Sequence, residues 1–116
     1  PDSGEVYFTL TNNSGRKETD ASNPRAPNAF GHIIRWREAS RDFAGTRFNW
    51  DIYLLAGPQD NSRGPKGRAL DESNIMASPD GLWFDDEGRL WIQSDVSGSQ
   101  LRSGPFGNNQ MLVSDP

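Results

Sequence analysis

The stretch "SPDGLWFDDEGRLWIQSD", residues 78–95, decides how the fold is read. Its two apolar runs, "GLWFD" (81–85) and "RLWIQSD" (89–95), are rich in aromatic and aliphatic residues. That composition suits a pleated, half-buried strand. Between them stands "DEG", an acidic turn closed by glycine, which is what a tight hairpin demands. Asp85, Asp86 and Glu87 therefore read as a solvated turn rather than an acidic site. Asp80 is less simple. It precedes a glycine, as Asx-turn residues do when the side chain bonds a backbone N–H two residues on. It also heads a strand, where a carboxylate can face a rim of loops.

Further strands follow from the same signals. "EVYFTLT" (5–11), "HIIRWRE" (32–38), "FNWDIYLLAG" (48–57) and "NQMLVSD" (109–115) are apolar runs bounded by turn residues. In the third of these, Phe48, Trp50, Ile52 and Leu54 alternate with Asn49, Asp51 and Tyr53, the pattern of a half-buried antiparallel strand. "SRDFAGTR" (40–47) is a connection, and residues 12–31, 58–77 and 96–107 are long polar loops. No segment keeps helical apolar spacing over three turns. The expected fold is all-β and antiparallel, with long loops, and Trp36, Trp50, Trp83 and Trp91 are expected in the core between sheets.

Composition narrows the function classes. The chain has 116 residues, enough for one core, with 12 Gly and 8 Pro to serve many turns. A net charge of −4 from 12 basic and 16 acidic side chains argues against nucleic acid, which is held chiefly by Lys and Arg. No apolar run approaches the roughly 20 residues of a membrane span. With no cysteine there is no disulfide or thiolate metal site, and no compartment is indicated. No Gly-x-Ser-x-Gly elbow or phosphate-cradling Gly-x4-Gly-Lys motif occurs, "GPKGR" (64–68) being a lone glycine-rich turn.

The chain repeats itself at an offset of 84. "PDSGEVYFTLT" (1–11) aligns with "DDEGRLWIQSD" (85–95), so that Gly4 meets Gly88, Val6 meets Leu90, Tyr7 meets Trp91 and Phe8 meets Ile92. Repeated sheet units suggest a propeller, with long loops stretching the period beyond the usual ~40–50 residues. In the second copy the turn is preceded by a strand, whose counterpart before Pro1 is missing. Residues 1–116 are thus expected to be a partial β-propeller segment of one to two blades, starting and ending mid-blade. Its free strand edges would favour self-association.

"VYFTLTNN" (6–13), "NPRAPNAFGHIIRW" (23–36), "WDIYLLAGP" (50–58), "SPDGLWFDDEGRLWIQSD" (78–95) and "GNNQMLVSDP" (107–116) resemble, in order, the PhoX-type alkaline phosphatases. The resemblance implies a six-bladed β-propeller that hydrolyses phosphate monoesters with calcium and iron, in the periplasm or secreted. It also implies an internal or C-terminal section, because the family's cysteine iron ligand and Arg-Pro-Glu motif have no counterpart here. The isolated segment is then expected to be inactive. A non-catalytic β scaffold is the alternative; a third possibility, a calcium-dependent sugar-lactonase-like propeller, shares "PDGL" and "GRLW" but not the long 23–36 match.

The candidate site residues follow. Calcium takes six to eight oxygens, and Asp80, in the stretch that matches the family, is the candidate metal ligand. Arg25, Asn28 and His32 lie within eight positions and are candidates for binding the phosphate-monoester substrate. A guanidinium can fork two phosphate oxygens, an amide can donate to a third, and an imidazole can ligate or protonate. The same groups could equally tie down their loop by bonding backbone carbonyls. Asn12 and Asn13 follow a strand and read as turn caps.

Overall fold

The computed structural model describes residues 4–39, 42 and 44–116. Residues 1–3 of the first turn, and 40, 41 and 43 of the expected connection, lie outside the described residues. The fold is all-β: two three-stranded antiparallel sheets, ordered β1-β2-β3 and β4-β5-β6. The first holds β1 (Glu5–Leu10), β2 (His32–Glu38) and β3 (Phe48–Leu55); the second holds β4 (Pro79–Phe84), β5 (Leu90–Ser94) and β6 (Met111–Ser114). All six sit where alternation and turn residues place them.

Three sequence expectations need correction. A six-residue helix, α1 (Gly98–Ser103), lies inside the third long loop, started by the Ser97 hydroxyl, which accepts from Gln100 N. It spans under two turns, too short for a helical period to show. In β3 the alternation breaks, because the ladder slips between Ile33 and Ile34 and leaves Tyr53 as an extra residue. This bulge buries both Tyr53 and Leu54, while Phe48 and Trp50 stay exposed. Finally, no tryptophan enters the core between the sheets. Trp36 pairs across the strands with Val6 and Trp50 on the outer face of sheet one, and Trp83 pairs with Trp91 on the outer face of sheet two.

The inner faces meet instead through smaller groups. Ile33, Tyr53, Leu54, Met76, Leu90 and Ile92 form the core, with Tyr7 and Phe84 packed against it. The Tyr7 ring stands edge-on to Tyr53 at 5.0 Å and to Phe84 at 5.2 Å. The Tyr53 hydroxyl shares a 2.7 Å hydrogen bond with Ser114 of the other sheet. A second cluster, Leu70, Ile75, Ala77, Val96 and Phe106, lies beneath the loops.

Antiparallel order sends the three long loops to one end of both sheets. There β1, β3 and β5 finish and β2, β4 and β6 begin. Gly31 is required at this end. Its φ is +77°, and a Cβ would stand 1.9 Å from Thr11 O.

Candidate functional site

The loop end is built around Ser78, fully buried and held at φ +52° just before β4. Its N–H donates to Phe30 O at 2.7 Å, and its carbonyl accepts from Asp95 N at 2.8 Å. Its hydroxyl accepts from Asn12 Nδ2 at 3.1 Å. Thr9 Oγ1 donates to Asp80 O at 3.1 Å. One residue thereby ties β1, β2, β4 and β5 together at the rim. Asp80 stands exposed beside it as the second residue of β4.

Arg25, Asn28 and His32 are brought together. His32 is fully buried, with Nε2 2.8 Å from Ser22 O and Nδ1 2.9 Å from Asn28 Nδ2. A carbonyl only accepts, so Nε2 carries the proton and Nδ1 accepts from the Asn28 amide. The amide orientation agrees, because Asn28 Oδ1 receives Arg25 Nη2 at 2.9 Å and Gly31 N at 3.2 Å. Burial holds the His32 pKa below its ordinary value, and the nearby Arg25 and Arg16 charges push the same way.

Arg25 is the hub. Nη1 donates to Ala56 O at 2.6 Å and Asn61 O at 3.1 Å, and Nη2 donates to Gly31 O at 2.5 Å. The guanidinium lies 5.9 Å from the Phe30 ring centre. Burial lowers its pKa, and among the described residues its Nε is buried without a partner. Two loops, 12–31 and the connection after β3, are bound by one cation through carbonyls, much as a metal would bind them. In this arrangement both imidazole nitrogens and both terminal guanidinium nitrogens are engaged within the protein.

Asp80 does not join that trio. Among the described residues no group of three or more His, Asp or Glu side chains could hold a metal ion. One carboxylate falls far short of the six to eight oxygens calcium takes, so these residues do not form a metal site by themselves. Asn13 is a turn residue: its Oδ1 accepts from Gly15 N at 3.1 Å, and its backbone bridges Asn28. The part played by Ser78 was not visible in the sequence, where a serine before proline carries no sign of three loops converging on it.

Comparison with known proteins places this geometry in a family. Among curated protein sequences no significant match is found. A solved structure, Pseudomonas fluorescens PhoX in complex with vanadate, a transition state analogue, is similar at 43% identity with a TM-score of 0.83. The match covers 99% of this chain and 21% of that one, so the chain spans about a fifth of that relative's length. The profile of the family described as alkaline phosphatase PhoX matches residues 1–115. The chain belongs to the PhoX alkaline phosphatase family.

Proposed function

We propose that this chain is a partial-propeller section of a phosphatase that hydrolyses phosphate monoesters, and that its own share is to build one side of the active-site rim. The supporting observation is the 43% identity over nearly the whole chain to a relative bound to vanadate. Vanadate imitates a phosphoryl group in transfer, so a site that holds it as a transition state analogue is suited to phosphoryl chemistry. The gathering of all three long loops at one end fits the same reading, since rigid sheets commonly present functional loops.

Within that enzyme, Arg25, Asn28 and His32 would serve the substrate by fixing the loop backbone at 22, 31, 56 and 61. Direct contact with phosphate requires Arg25 to exchange a carbonyl for a phosphate oxygen. Calcium with iron is the proposed metal set of the whole enzyme, Asp80 supplying one ligand beside others from outside this chain. The proposed location is the periplasm or the exterior. Among the described residues no helix is long and apolar enough to cross a membrane.

The test uses the longer protein that carries this chain, assayed with p-nitrophenyl phosphate and with vanadate as inhibitor. Hydrolysis blocked by vanadate is expected. Asp80→Asn should raise the calcium needed for half-maximal turnover by about tenfold or more, as loss of one ligand does. Absence of hydrolysis under any metal supply would leave only the scaffold reading. An unchanged calcium requirement would remove Asp80 from the metal site alone.

A further inference from the structure

The buried Asn28 amide stands between two basic side chains. Its Oδ1 accepts from Arg25 Nη2 at 2.9 Å and from Gly31 N at 3.2 Å, while its Nδ2 meets His32 Nδ1 at 2.9 Å. Asn28 and His32 are 1% and 0% exposed, so neither contact is exchanged for water while the loop stays closed.

An amide has one accepting end and one donating end. With His32 neutral, each end meets the right partner. A second ring proton places a donor on Nδ1, facing Asn28 Nδ2. Turning the amide over would offer Oδ1 to His32, but would then set Nδ2 against Arg25 Nη2 and Gly31 N. No orientation of one amide serves a charged His32 and Arg25 together, and a buried donor left unpaired is costly.

What gives way depends on what Arg25 holds. It bonds Gly31 O within its own loop, and Ala56 O and Asn61 O beyond β3. Ala56 N returns a 3.1 Å bond to Gly31 O. The strands behind are held separately, by their ladders and by the core between the sheets. The charged groups acting on His32 are Arg25 and Arg16, which oppose a ring charge, and Asp20, which favours one. Its ladder neighbours, Leu10 and Leu55, carry no charge.

We propose that Asn28 makes protonation of the His32 ring and the Arg25 latch mutually exclusive, so that acid releases residues 12–31 from residues 56–61 while both sheets stay folded. The rim is closed at neutral and alkaline pH and opens in acid. The latch belongs to the loop geometry and does not depend on the phosphatase reading.

Peptide-resolved hydrogen exchange of the longer protein that carries this chain tests it between about pH 8 and 5, where histidine is the side chain that ordinarily titrates. Rates are corrected for the intrinsic effect of pH, and slow exchange of the His32 ring C–H reports its charge. Amides in 23–31 and 56–61 should open at least about tenfold more at the acid end, while those of β2 and β5 stay protected. His32→Gln offers Asn28 an acceptor and Ser22 O a donor without a charge, and should abolish the response. Asn28→Asp gives two accepting ends, which suit a charged ring and Arg25 together. Its loops should be tighter in acid, the reverse of wild type, and its ring should keep the second proton to higher pH. If Asn28→Asp does not fold, His32→Gln decides alone. Loop exchange that ignores the charge on His32 overturns the proposal, as does a ring that stays uncharged throughout the range. An acid response kept in His32→Gln, the wild-type sense kept in a folded Asn28→Asp, or opening spread equally through β2 and β5 overturns it too.

Discussion

At the scale of single residues, His32 shows how a buried polar group is fixed by what surrounds it. The proton sits on Nε2 because Ser22 O can only accept, and Nδ1 must accept because Asn28 presents its amide N–H. A second proton would set two donors against each other at 2.9 Å. Of the charged groups around the ring, Arg25 and Arg16 oppose charging and Asp20 favours it, and burial outweighs them all. The folded-state pKa is depressed, so the unfolded chain binds more protons below about pH 6.5. Stability should be fully present above that pH and fall as pH drops through the folded-state pKa. His32 is the single histidine of the chain. Its ring proton resonance followed by NMR should titrate with a midpoint below about 6.5, and His32→Gln should flatten the slope of melting temperature between about pH 6.5 and 5. A midpoint at or above 6.5 would contradict the proton placement. The sequence disclosed that Arg25, Asn28 and His32 were near one another. It could not disclose the acceptors at Ala56 and Asn61, which come from another loop 31 and 36 positions away.

Among the elements, the β4–β5 hairpin answers the question raised by its acidic turn. Asp85 Oδ1 accepts from Glu87 N and Arg89 N, while Oδ2 accepts from Arg89 Nε and Trp91 Nε1, each at 2.7 Å. Desolvation pushes the Asp85 pKa up, but these donors together outweigh it and hold the carboxylate at about 2. A depressed carboxylate pKa stabilises the fold above the unfolded value near 4, and that contribution is lost as pH falls from about 4 to 2. Asp85→Asn should therefore reduce the acid loss of melting temperature in that window, and an unaltered acid limb would show that the turn contributes nothing to it. The hairpin was legible because turn chemistry is local: acid, acid, glycine, then alternating apolar residues. The β3 bulge was not, because an extra residue opposite Ile33 and Ile34 is decided by pairing with a partner strand. The tryptophans misled for a related reason. Alternation shows that two faces differ but not which one meets the other sheet.

For the whole molecule, the balance between the sheets can be set by magnitude. Ile92 and Leu90 are buried in the inner interface, and removing most of such a side chain costs roughly 2–5 kcal/mol. The Tyr53–Ser114 hydroxyl pair crosses the same interface at 2.7 Å, and a neutral hydrogen bond contributes only about 0.5–1.5 kcal/mol net. Apolar packing should therefore hold the sheets together, with the hydroxyl pair setting how they align. The order of effects follows. Ile92→Ala should lower the urea unfolding free energy by roughly 2–5 kcal/mol, against about 0.5–1.5 kcal/mol for Tyr53→Phe. In a double-mutant cycle, Tyr53→Phe and Ser114→Ala should be non-additive, because each removes the same bond. If Tyr53→Phe proved as costly as Ile92→Ala, the polar contact would be the main tie between the sheets and the packing account would fail.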